Sequence, residues 1–217
     1  MAKKTLKILR YVGLLLILAV TCTLLLRMCA HSSMPEPMER LSWNAATRAA
    51  YEKEGADMRV LILNMPEKYR IAPDGKFSVH EVYYLPEAKQ LQFTLRCNDS
   101  TLRTLAGETE VSFEELDERE RPLFDVFVTD DREIRYTCEF FAHVERGRYN
   151  YERYVVDGIE LDGIRELALE VMGLRDGGKT YEKEDKAYSA VALYNSDIPS
   201  TEKKLTKADL SGFEEIR

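Results

Sequence analysis

Gly173 to Thr180 (GLRDGGKT) matches GxxxxGK[ST], the spacing by which a glycine-rich loop cradles phosphates ahead of a helix. That chemistry needs a parallel strand before the loop and an amphipathic helix after it. Residues 167–172 suit the strand, but the following TYEKEDKAYSAVALY starts polar and ends β-like, without an apolar helical stripe. The segment therefore reads as a Gly-rich connection between strands. Asp157, Glu160 and Asp162 offer the carboxylate oxygens that calcium prefers, yet their spacing is not that of the twelve-residue calcium loop. They read as two Asp-Gly turns. Ser200 to Lys203 (STEK) fits SxxK but lacks the SDN and KTG partners that make its serine a nucleophile. His31, His80 and His143 are scattered, with no CxxC nearby, so no metal or cofactor site is expected.

Cys97 and Cys138 both fall on inward-facing strand positions and form the candidate disulfide; the alternative is two buried thiols. Cys22 and Cys29 belong to an apolar segment or its edge and read as small hydrophobes. Tyrosine occurs twelve times. Tyr83, Tyr84, Tyr149, Tyr151 and Tyr154 lie on or near strands and are the candidate exposed aromatics for stacking on a sugar or a protein partner. Carboxylates are abundant, but no pair is marked as facing across a cleft.

The elements that must position these groups are mostly strands. Apolar residues recur with period two at 77–85, 91–97, 123–128, 134–144, 149–156, 167–171 and 187–194, with turn residues between them. Leu91, Phe93, Leu95 and Cys97 share one face; Gln90, Gln92, Thr94 and Arg96 share the other. Ile134, Tyr136, Cys138, Phe140, Ala142 and Val144 line one face of a long strand. Residues 107–122 read as a solvated loop with at most one helical turn, and Asn44 as the cap of a short helix ended by Gly55. The expected fold is mainly β, an antiparallel β-sandwich preceded by a single N-terminal transmembrane helix. Its layout is similar to an immunoglobulin-like sandwich, without the tryptophan that such domains carry between their core cysteines.

Residues 11–26 (YVGLLLILAVTCTLLL) hold no charge. Lys3, Lys4, Lys7 and Arg10 precede this run, while Arg27 alone follows closely, which orients the N-terminus to the cytosol. The domains expected are a cytoplasmic basic tail (1–10), a transmembrane signal anchor (11–30), a juxtamembrane spacer (31–57), an extracytoplasmic β-sandwich (58–198) and a polar C-terminal tail (199–217). A cleaved signal ending near Ala30-His31-Ser32 is the alternative. The formal charge of the chain is −7; with five basic residues and no acid in 1–33, the remainder holds 26 basic and 38 acidic side chains. A body that acidic is a poor partner for phosphate backbones, so no nucleic acid is expected. The implied function is a membrane-anchored extracytoplasmic binding or accessory module of the cell envelope. It would meet the membrane through residues 11–30 and a protein or glycan ligand through its body, with no catalysis. The alternative is a cell-surface hydrolase using paired carboxylates on a cell-wall polymer; it requires two acids about 5–10 Å apart in a cleft, one with a raised pKa.

Overall fold

Alternation of this kind produces two antiparallel sheets. The computed structural model describes residues 13–23, 34–175, 180–182 and 184–214. The strands are β1 (Leu61–Ile62), β2 (Phe77–Leu85), β3 (Gln90–Asn98), β4 (Phe124–Asp130), β5 (Arg135–Thr137), β6 (Glu139–Arg146), β7 (Tyr149–Asp157), β8 (Glu166–Leu174), β9 (Ser189–Asn195) and β10 (Thr201–Glu202). The large sheet has the order β10-β1-β2-β3-β7-β6 and the small sheet β5-β4-β8-β9. Leu91, Phe93, Leu95 and Tyr154 from the large sheet and Val126, Val128, Leu167, Leu169, Val171, Val191 and Leu193 from the small one form the core between them.

Residues 13–23 are helical (α1) and expose Leu14, Leu15, Leu16, Ile17, Leu18 and Val20. Among the described residues no helix is long and apolar enough to cross a membrane; the rest of the expected anchor lies outside them. By its contacts the chain divides into residues 1–35 and 36–217.

Four departures from the sequence reading matter for function. First, the spacer and tail pack into the domain. Helix α2 (Glu36–Glu39), helix α3 (Ala45–Glu54) and the C-terminal α6 (Lys207–Glu214) cover the outer face of the large sheet. Asn44 caps α3 by accepting from the Thr47 amide, and Gly55 ends it at φ +58°. Trp43 is buried, donates Nε1–H to the Asp209 carbonyl at 2.6 Å and stacks edge-on with Tyr51 and Phe213, each 5.3 Å away. Second, the long strand at 134–144 is two. β5 pairs with β4 in the small sheet and β6 with β7 in the large one, so the chain changes sheets at Cys138, and Ile134 is exposed rather than inward. Third, Asn98 caps an unexpected helix α4 (Asp99–Glu108), whose Leu102 and Leu105 enter the core. Fourth, Ser112 caps α5 (Phe113–Glu118), which drives Leu116 into the core from the expected loop.

Candidate functional site

The sequence candidates are best placed against the two faces of the large sheet. Tyr83, Tyr84, Tyr151 and Tyr154 are all buried, and Tyr149 is half-buried beneath the Arg96 and Arg148 guanidiniums. The expectation of exposed binding aromatics on these strands is thereby corrected. Both faces are covered along most of the sheet, so alternation moves Tyr83, Tyr84, Tyr151 and Tyr154 between buried layers. Tyr84 donates to the Ile159 carbonyl, Tyr154 to Glu152, and Tyr83 to the Glu39 carbonyl and Glu81.

Cys97 and Cys138 are free thiols. Both contribute to the core, and burial pushes both thiol pKa values up. The register explains why they do not meet. Cys97 pairs with Asn150, whereas Glu139, the neighbour of Cys138, pairs with Val155, five residues along β7. Five residues of strand span about 17 Å, far beyond the roughly 7 Å limit for a disulfide.

The nucleotide-loop motif has no suitable context. Gly173 and Leu174 close β8, an antiparallel strand paired with β4, and residues 176–179 lie outside the described residues. The acidic turn is also occupied: Asp157 accepts from Gln90 and Asn44, and Glu160 pairs with Lys89. Among the described residues no group of three or more His, Cys, Asp or Glu is placed to hold a metal ion.

A groove of about 530 Å³ opens where the β1–β2 connection faces one end of the small sheet. Met65 and Tyr69 line one wall, Ala168 and Ala192 the small-sheet side, and Thr129, Asp130, Asp131, Glu166, Leu167, Glu170, Tyr194, Asn195, Asp197 and Ile198 the remaining surface. Asn64 secures the first wall by donating to the Pro199 carbonyl and Thr201 hydroxyl. Tyr69 is 47% exposed, an aromatic the strand pattern did not single out. The clue available was its place in a polar connection between Pro66 and Pro73.

Asp130, Asp131, Glu166 and Glu170 of the groove are held by partners. The buried Asp130 side chain accepts from the amides of Arg132 (2.9 Å) and Ile134 (2.8 Å), which shapes the β4–β5 turn. Burial would raise its pKa, but these amides and the Arg132 guanidinium hold it below its ordinary value. The Arg165 hydrogen bond lowers the Asp131 carboxyl likewise. Glu170 accepts from Arg135 at 3.0 Å and Glu166 from Asn195 at 3.2 Å. The Thr129 hydroxyl oxygen is different: it is buried and has no hydrogen-bond partner among the described residues. Among the described residues, the carboxyl whose pKa is raised is Glu152, through burial between the sheets. It accepts from the Leu123 amide and the Tyr154 hydroxyl, each at 2.6 Å, and is not among the groove residues.

No protein-family model, curated protein or solved structure matches this chain.

Proposed function

We propose that this chain is a membrane-anchored extracytoplasmic binding module whose ligand, a glycan segment, occupies the groove between Tyr69 and the small sheet. The immunoglobulin-like layout and the N-terminal transmembrane helix belong to the same proposal. The observation that carries the ligand assignment is the combination of an exposed tyrosine with an unpartnered buried hydroxyl, Thr129, in one groove. Sugars are bound by an aromatic face together with fixed polar groups, and a cavity of this size falls in the usual ligand range. The arginine partners hold the carboxylates of Asp130 and Asp131 ionised and oriented, which suits accepting hydroxyl protons better than donating one to a leaving group. The hydrolase alternative needs a raised carboxyl in a cleft; the position of Glu152 between the sheets favours binding over hydrolysis.

The membrane assignment rests on the uncharged run at 11–26, the basic residues before it and the exposed leucines of α1. A C-terminal tag should be cut by protease on intact cells; protection until lysis would reject it. The ligand assignment is tested by screening the tagged full chain against envelope polysaccharides. One class should be retained, with Tyr69→Ala weakening it at least about tenfold and Thr129→Val by less. Retention that survives Tyr69→Ala would place the ligand elsewhere.

A further inference from the structure

The outer face of the large sheet is covered unevenly. Hydrogen bonds between residues 38–47 and β3 engage Gln90, Gln92 and Thr94, the last as donor to the Met38 carbonyl, and stop short of Arg96. At that open end Arg96 and Ser78 are cross-strand partners, and His80 lies two residues along β2 on the same face. Arg96 Nε donates to Ser78 Oγ at 3.0 Å, and His80 Nε2 lies 3.2 Å from the same oxygen. Tyr149 holds the Arg96 guanidinium against its ring at 4.8 Å. On the other side of β2, the Arg70 carbonyl accepts from the Val79 amide, and Arg70 Nε is fixed to the Met65 carbonyl at 2.7 Å.

The Arg96 guanidinium and the half-buried His80 imidazole thus meet at one hydroxyl, with Arg70 within electrostatic reach of the ring, and among the described residues neither arginine meets a carboxylate. Other arginines of this acid-rich body do meet acids, among them Arg59 with Glu87, Arg135 with Glu170 and Arg165 with Asp131, at 2.8–3.1 Å. Burial, then Arg96 and Arg70, push the His80 pKa down to about 4, so the ring is neutral at pH 7. The terminal nitrogens of both arginines make no hydrogen bond within the described residues. Such a pair of restrained, unneutralised forks beside a hydroxyl and a ring N–H matches the donors that a tetrahedral oxoanion accepts from.

We infer that Arg70, Ser78, His80 and Arg96 form a binding site for a phosphate group, carried by a dissolved solute or by a lipid headgroup. Ser78, His80 and Arg96 lie on the large sheet and Arg70 on the β1–β2 connection, and none of the four lines the glycan groove. In the full-length chain in nonionic detergent, inorganic phosphate at constant ionic strength should shift the His80 ring resonances saturably. Arg96→Gln and Arg70→Gln should each weaken the effect about tenfold, the scale of one charge-assisted hydrogen bond. Arg59→Gln should leave it unchanged, and Trp43 emission should report an intact fold in all three. A shift reproduced by chloride, no saturable shift, or one that persists in both Arg70 and Arg96 variants would overturn the site. In phosphate-free nanodiscs, the same shift with phosphatidylglycerol but not phosphatidylcholine assigns the headgroup. A shift only with dissolved phosphate assigns the solute.

Discussion

Adjacent residues of β7 show how differently the two faces of the large sheet are built. Glu152 points into the space between the sheets, where its neighbours are mostly apolar and two donors satisfy it. Arg153 points the other way and is fully buried in a polar layer. It donates to Ser42 Oγ, Gln92 Oε1, Thr94 Oγ1 and the carbonyls of Arg40 and Glu81, at 3.1–3.3 Å, with Tyr83 beneath it. Gln92 completes the layer by exchanging two 2.8 Å hydrogen bonds with the Ser42 backbone, as a neighbouring strand would. The Glu81 carbonyl reaches Arg153 from a bulge in β2, where Glu81 takes φ +48°. The inner face tolerates any apolar shape that fills it. The outer face needs each donor matched, because a buried unpaired polar group costs about 1–3 kcal/mol.

Removing the central donor should break the outer face most. Arg153→Met takes a donor from two carbonyls and three side chains, of which Gln92 keeps the Ser42 amide, and should cost about 3–5 kcal/mol in urea unfolding followed by Trp43 fluorescence. A loss below about 1 kcal/mol would mean that water replaces the guanidinium and that the layer is not tightly built. Acid should open the same face next. Burial would raise Asp209, but hydrogen bonds from Lys203 and Thr206 hold its pKa below the ordinary 3.8. Its stabilising contribution is therefore present above that value and lost as pH falls through the lower, folded one. Below about pH 4 the grip on α6 should weaken, seen as a red shift of Trp43 emission before global unfolding; Asp209→Asn should show the shift already at pH 7.

A smaller effect tests the fit of α6. A methyl added at Gly212 would stand 3.0 Å from the Trp43 ring, so Gly212→Ala should lower stability by about 1 kcal/mol despite its better helix propensity. The smallest change sharpens the comparison by its sign. Burial raises the Glu152 pKa, so its ionised form is disfavoured in the folded state and becomes a cost as pH rises through the folded value. Glu152→Gln keeps an acceptor for Leu123 and should be neutral or stabilising by up to about 1 kcal/mol at pH 7, with no gain at pH 4. A large loss at pH 7 would show that the charge itself is needed, bringing the inner face closer to the outer one.

How much of this was legible can be judged residue by residue. Alternation at 90–97 placed Leu91, Phe93, Leu95 and Cys97 in the core, because apolar side chains on one strand face have one energetically sensible direction. The same alternation assigned Gln90, Gln92 and Thr94 to the outer side but not to burial; all three are inaccessible. Nothing local distinguishes a glutamine facing water from one facing the backbone of Ser42, fifty residues away. Tyr83, Tyr84, Tyr151 and Tyr154 failed as exposed candidates for the same reason. In the groove, Asp130 and Asp131 follow the apolar run at 123–128, but their joining with Tyr69 follows from which loop passes the end of the small sheet.

The amino-acid order alone determined the local elements: the strand alternation, the Asn44 and Gly55 ends of α3 and the uncharged N-terminal run. These depend on neighbours within a few residues. Only the tertiary structure decided that Trp43 and Asp209 meet, that Cys97 and Cys138 stay apart and that Arg96 and His80 meet at the Ser78 hydroxyl. Those outcomes depend on register and on which distant segment covers a face. Composition does not encode that, because a polar face can be satisfied equally by water or by a well-placed backbone.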